Sequence, residues 1–202
     1  SRSESQGRGR CYSRDLGKPK MKETGTEFSE LLLSWYASHK RELPWRGIKN
    51  PYYVWLSEVI LQQTRIVQGL PYYLCFVENF PTIKDLAEAP EEKVLKLWQG
   101  LGYYSRAKNL HLAAKYILDE LGGNFPTTYQ EIIKLKGVGD YTASTIASIC
   151  FNEPKASVDG NVYRVLSRIF GIEIPINTTQ GVKYFKELAL ALLDKKRAGE
   201  YN

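Results

Sequence analysis

From Phe28 onward, apolar residues recur at helical spacing. Phe28, Leu31, Leu32, Trp35 and Tyr36 fall at i, i+3, i+4, i+7 and i+8 and predict one apolar stripe. Val94, Leu95, Leu97 and Trp98 predict a second helix. Leu110, Ala113, Ala114, Ile117, Leu118 and Leu121 predict a third; Val158, Val162, Val165, Leu166 and Ile169 a fourth; Leu188, Ala189, Leu192 and Leu193 a fifth. Prolines 51, 71, 81, 90, 126 and 154 are expected between these runs, where a missing N–H costs little at a helix start. In "APEEKVLKLW", Glu91 and Glu92 suit the positive end of a helix dipole. No alternating strand pattern is evident, so the chain reads as all-α, with about eight to ten short helices.

Residues 1–20 are rich in Ser, Arg and Gly and carry no hydrophobic period. They read as a non-native or disordered tail ahead of a natural start at Met21. The net charge of +6 changes little, because residues 1–22 hold seven Lys/Arg against Glu4 and Asp15 and the body is near neutral. Affinity for a polyanion therefore has to come from local clusters of bases. No window approaches the roughly 18 apolar residues of a membrane span, and the N-terminus lacks a signal-peptide core. Both point to a soluble intracellular protein. Cys11, Cys75 and Cys150 lie too far apart in sequence to suggest a disulfide framework or a metal motif, and His39 and His111 sit in ordinary helical runs.

In "LKGVGDYTAS", Ile132, Ile133 and Leu135 end one helix, Gly137-Val138-Gly139 turns, and Tyr141 lies in a second helix. Such a hairpin offers glycine backbone and unpaired N–H groups to a phosphate, with Lys134 and Lys136 beside it. A G-x-G between helices is, taken alone, more often a plain glycine-capped turn. "LSEVILQQTR" sets Glu58 on a helical face among apolar neighbours, where burial would raise its pKa and suit it to deliver a proton. Leu61, Gln62, Gln63 and Thr64 close that helix; the amides could read base edges or simply form a polar terminus. "SVDGNVYRVL" puts Asp159 and Asn161 at a helix start, either as an N-cap or as a carboxylate facing a cation. "LPWR" (Trp45, Arg46) and "GLGYYSRAKN" (Tyr103, Tyr104, Arg106, Lys108) pair aromatic faces with cations that could hold phosphates, or are core aromatics with solvated bases.

Taken in order, "LPWR", "PYYVWLSEVILQQT", "LWQGLGYYSRAKNLH", "LKGVGDYTAS" and "VDGNVYRVL" closely resemble the helix-hairpin-helix DNA glycosylases related to endonuclease III, and among them the MutY-type adenine DNA glycosylases. The likeness covers about residues 28–202. It implies a fold with a six-helix domain at 43–152 and a second helical domain made of 21–42 and 153–202. It also implies base-excision repair, removing adenine mispaired with 8-oxoguanine or guanine from double-stranded DNA, by a monomer in the cytoplasm of a bacterium, at the nucleoid. By this resemblance Glu58 protonates the leaving adenine, Asp159 stabilises the sugar cation and Asn161 supports it. Leu61, Gln62, Gln63, Thr64 and Tyr103 contact DNA near the lesion. Trp45 and Arg46 belong to the adenine pocket, and Lys136, Gly137, Val138 and Gly139 hold phosphate.

Tyr141 stands where endonuclease III-type enzymes carry a Schiff-base lysine, and a phenol cannot form an imine. The resemblance therefore implies hydrolysis without strand cutting. It further implies a [4Fe-4S] cluster on four closely spaced cysteines C-terminal to the matched region. This chain has no such run, so no metal ligands are expected in it, and it reads as a truncated piece of weak or absent activity. Two other readings remain: a non-catalytic helix-hairpin-helix DNA-binding fragment, and a glycosylase for mismatched thymine or oxidised pyrimidines.

Overall fold

A computed structural model describes residues 21–202; the tail read at residues 1–20 lies outside the described residues. Among the described residues eleven helices follow one another: α1 (Met21–His39), α2 (Pro51–Leu61), α3 (Ile66–Asn79), α4 (Ile83–Glu88), α5 (Glu91–Leu97), α6 (Ser105–Glu120), α7 (Tyr129–Ile132), α8 (Asp140–Phe151), α9 (Gly160–Phe170), α10 (Thr179–Leu192) and α11 (Ala198–Tyr201). The all-α reading holds. The number exceeds the expected eight to ten because α7 and α11 have four residues each, too few to show a period.

Local chemistry explains several boundaries. Pro51 is the first residue of α2, and the Asn50 side chain accepts from the Tyr52 N–H. Thr82 and Asp85 close a reciprocal capping box on α4. Pro71 departs from expectation, lying inside α3 rather than before it. Its ring removes the hydrogen bond that would run to the Val67 carbonyl, and Val67 is highly exposed, so water can serve that oxygen.

Two hydrophobic cores form. The larger gathers Trp55, Leu56 and Ile60 of α2, Phe76 of α3, Leu86 of α4, Val94 and Trp98 around α5, and Leu110, Ala114 and Ile117 of α6 with Ile146 of α8. Phe76 sits edge-on to Trp98 at 5.7 Å. The smaller gathers Leu166 of α9 with Phe185, Leu188, Ala189 and Leu192 of α10. Helix α1 packs on α10 and α11, and α11 packs on α8. At that crossing a Cβ on Gly199 would lie 2.5 Å from the Ser148 carbonyl oxygen, so only glycine lets the two backbones meet.

Two predicted stripes are rotated. In α1 the buried positions are Gly25, Ser29 and Leu33, whereas Leu31 and Trp35 are 66% and 57% exposed. In α9 Leu166 is buried, Val165 and Ile169 are exposed, and Val158 precedes the helix. Aromatic contacts decide both orientations. Phe28 of α1 packs on Phe170 of α9 at 5.8 Å, and Tyr163 packs edge-on to Phe185 at 5.1 Å. A count of apolar residues weighs Val and Leu equally with these larger rings, which bury more area.

The rotation of α1 has a measurable consequence. Leu33→Ala should lower unfolding stability by about 2–4 kcal/mol, and Leu31→Ala should stay within about 0.5 kcal/mol, in urea titrations of the two variants. Equal losses at both positions would contradict this packing.

Candidate active site

Glu58 lies on α2, between fully buried turns that carry Trp55, Leu56 and Ile60. The helix is flanked by α3, α6 and α8, which leaves its acid little water. Burial pushes the Glu58 carboxyl up from 4.5 to about 7, and the Asp159 carboxylate adds a smaller push in the same direction. An acid so placed still holds its proton near neutral pH.

Asp159 caps α9. One carboxylate oxygen accepts the N–H groups of Asn161 at 2.9 Å and Val162 at 2.8 Å, and the other accepts the Asn161 side-chain amide at 3.0 Å. Asn161 therefore fixes the carboxylate from backbone and side chain together, while its own carbonyl oxygen accepts from Arg164. Of the two alternatives read at this position, the structure bears out the N-cap. Asp159 is an N-cap, and it is near enough to act electrostatically on Glu58 and Tyr141. Burial raises the Tyr141 phenol well above its ordinary range, with Glu58 and Asp159 raising it further. The three side chains, from α2, α8 and α9, thus share one neighbourhood.

The turn before α8 is built around Val138, which is buried between two exposed glycines and two exposed lysines, Lys134 and Lys136. Gly137 has φ +77°, and a Cβ there would come within 2.7 Å of the Asn109 side chain. Gly139 is the N-cap of α8 and supplies no side chain to its first N–H groups. Asp140, next in sequence, accepts from the Tyr129 hydroxyl at 2.7 Å and pairs with Lys186 of α10 at 2.8 Å. The expected first helix of the hairpin is shorter than its apolar residues suggested, since α7 ends at Ile132 and Leu135 is buried in the turn.

Gln63 and Tyr103 share a property that no spacing announced: both are non-glycine residues in the left-handed region, with φ of 55° and 46°. Each conformation costs about 1 kcal/mol and persists only where surroundings impose it. Gln63 is exposed and Tyr103 is 67% exposed. Leu61 packs back toward Gly69 of α3, Gln62 is the C-cap of α2, and the Thr64 hydroxyl donates to the Gln62 carbonyl at 3.3 Å.

Arg106 is not the outward phosphate contact that its aromatic-cation setting suggested. Its guanidinium turns inward and donates to the carbonyls of Ile60 at 3.0 Å, Val59 at 3.2 Å and Gln62, and to those of Leu101 and Gly102 at 3.3 and 3.4 Å. The last carbonyls of a helix lack intrahelical donors and carry the negative end of its dipole, so the C-terminus of α2 draws the cation in. The side chain also lies 5.0 Å from the Trp98 ring and 5.8 Å from the Tyr103 ring. A sequence reading misses this because Arg106 meets carbonyls more than forty positions away.

Trp45 and Arg46, read as adenine-pocket residues, both lie against aromatic rings. Trp45 packs edge-on to Tyr73 at 4.9 Å, and Arg46 lies over the Tyr36 ring at 5.4 Å. Arg46 also lines a cavity of about 670 Å³ with Lys40, Arg41, Lys49, Lys196 and Arg197, a lining that includes none of Glu58, Tyr141 and Asp159. Among the described residues no group of three or more His, Cys, Asp or Glu is gathered to hold a metal, and Cys75 and Cys150 sit on different helices. These residues do not fit a [4Fe-4S] cluster. No described helix is long and apolar enough to cross a membrane.

Comparison with known proteins identifies the family and the fold. A family model described as HhH-GPD superfamily base excision DNA repair protein matches residues 56–188, from α2 into α10. Among curated proteins, the chain is 42% identical over 186 residues to the adenine DNA glycosylase of Mus musculus, covering 88% of this chain and 36% of that protein. It is 43% identical to the Homo sapiens adenine DNA glycosylase, covering 88% of this chain and 34% of that protein. It is 45% identical to that of Buchnera aphidicola subsp. Baizongia pistaciae (strain Bp), covering 73% and 42%. The chain thus spans roughly a third to two fifths of the length of these relatives. A solved thermostable thymine-DNA glycosylase matches with TM-score 0.80 and 26% identity, over 89% of this chain and 83% of that one. A non-covalent endonuclease III–DNA complex matches with TM-score 0.73, over 89% and 81%, and at 21% identity it bears on the fold alone. With a family match that runs over residues 56–188 and relatives at 42–45% identity, the chain belongs to the HhH-GPD superfamily of base excision DNA repair proteins.

Proposed function

We propose that this chain is the catalytic part of a monofunctional adenine DNA glycosylase, which hydrolyses the N-glycosidic bond of adenine opposite 8-oxoguanine or guanine in duplex DNA. The observation that carries the reading is Glu58, a carboxyl raised to about 7 by burial and neighboured by Asp159. The substrate base is taken from relatives at 42–45% identity that bear the name adenine DNA glycosylase. We read residues 43–152 as the catalytic domain, residues 21–42 with 153–202 as the second domain, and the protein as a monomer at the bacterial nucleoid.

In this reading, an adenine turned out of the duplex accepts the Glu58 proton on a ring nitrogen as its bond to C1′ breaks, and the bonding pair leaves with the base. The cationic sugar faces the Asp159 carboxylate, held by Asn161. Water adds to C1′ and gives its proton to Glu58, leaving free adenine and an abasic site. Gly137, Val138, Gly139 and Lys136 grip a phosphate at the N-terminus of α8, while Gln63 and Tyr103 enter the duplex near the mispair.

The likeness to a thymine-DNA glycosylase at 26% identity keeps thymine as a second substrate to be tested. Single-turnover assays of the full-length protein should release adenine from A:8-oxoguanine duplex, and Glu58→Gln should slow release by about 10²–10⁴-fold. Release of thymine instead, or release undiminished in the variant, would refute the assignment. Borohydride should trap no covalent adduct, because Tyr141 offers no amine.

The raised carboxyl also links activity and stability to pH. Below pH 4.5 folded and unfolded forms both hold the Glu58 proton; between 4.5 and about 7 only the folded form does. Stability therefore falls as pH rises through that window, and the penalty is complete above it. Glu58→Gln removes the penalty, so thermal melts should find the variant more stable than the parent at pH 8, by about 1–3 kcal/mol, with the difference shrinking toward pH 5. Base release by the parent should decline above about pH 7.

A further inference from the structure

Gln63 and Tyr103 belong to separate loops, one after α2 and one before α6, yet a single side chain binds both loops. The Arg106 guanidinium donates to the Gln62 carbonyl directly before Gln63 and to the Gly102 carbonyl directly before Tyr103. It reaches the Thr64 hydroxyl at 3.4 Å on the far side of Gln63 and lies against the Tyr103 ring. Trp98 completes the clasp, its indole N–H donating to the Gly102 carbonyl at 2.9 Å. The two residues held this way are two of only three non-glycine residues with positive φ among the described residues, the third being the C-cap Asn152. Left to themselves, both would relax to ordinary backbone angles and change the direction of their side chains.

We propose that Arg106 is a positioning residue that fixes Gln63 and Tyr103 as one preformed wedge for the duplex. The proposal rests on the DNA-glycosylase reading for the use of the wedge, but not for its existence. A planar fork with five donors suits this role, because it binds carbonyls of two loops at once and its apolar faces stack on rings. Lysine would keep the charge and lose the fork. Because the cation is inside, its contribution to DNA binding should not scale with salt as an outward phosphate contact does.

The test compares Arg106→Lys and Arg106→Gln with the parent by amide hydrogen exchange without DNA, then by binding and single-turnover assays on A:8-oxoguanine duplex in the full-length protein. Exchange at residues 62–64 and 101–104 should rise at least about tenfold in Arg106→Lys, with the α4 and α6 amides unchanged. Kd for the mispaired duplex should rise about tenfold with the slope against salt unaltered, and the release rate at saturating protein should fall by less. In a Gln63→Ala, Tyr103→Ala background the same change at Arg106 should add nothing, since the side chains it directs are gone. Unaltered loop exchange in Arg106→Lys overturns the proposal, as do additive losses in that background or a salt slope reduced by about one. If the parent shows no preference for mispaired duplex, the functional reading fails, while the exchange result still decides whether Arg106 holds the loops.

Discussion

A carboxyl group on a deeply buried helix is the constraint around which the rest of the structure is arranged. Helix α2 is apolar on nearly every side, and Trp55, Leu56 and Ile60 admit no solvent. Such a helix supplies core to the larger half of the molecule while denying Glu58 the water that would ionise it. The energy of packing and the chemistry of the acid thus have one source. Folding accepts a group that opposes it above neutral pH because the surrounding apolar contacts are far more numerous. The nearby Asp159 instead caps a helix, with N–H donors on both of its carboxylate oxygens.

The C-terminus of α2 extends this arrangement. Its last carbonyls need donors, and Arg106 in the first turn of α6 supplies them. Satisfying those carbonyls brings together two loops that are far apart in sequence. One electrostatic need of a helix end therefore organises the surface beside the site, and the exposed aromatic and amide there inherit their directions from a buried contact.

Much of this was legible in the residues. Spacing at 3.6 marked the helices that became α1, α5, α6, α9 and α10, whereas Glu58, Asp159, Asn161 and the glycine hairpin carried weak local signatures and took their roles from the family resemblance. What escaped was non-local. The rotation of α1 follows from Phe28 meeting Phe170, and Arg106 reads as a surface base because its acceptors belong to a distant helix end. Pro71 reads as a helix boundary because its tolerance inside α3 depends on an exposed carbonyl, which sequence does not reveal.

The link from Asp140 to Tyr129 and Lys186 carries a consequence for how this hairpin could be reused. The turn that precedes α8 is braced from three directions: Asn109 of α6 stands against Gly137, Tyr129 of α7 holds Asp140 from one side, and Lys186 of α10 holds it from the other. Only the Tyr129 brace lies within the hairpin's own stretch of chain. Excised and transplanted onto another scaffold, residues 128–151 would keep their glycines and lysines but lose two of the three supports that hold them in register. The shape of the turn is a property of the whole helical assembly, so it cannot be inherited as a cassette.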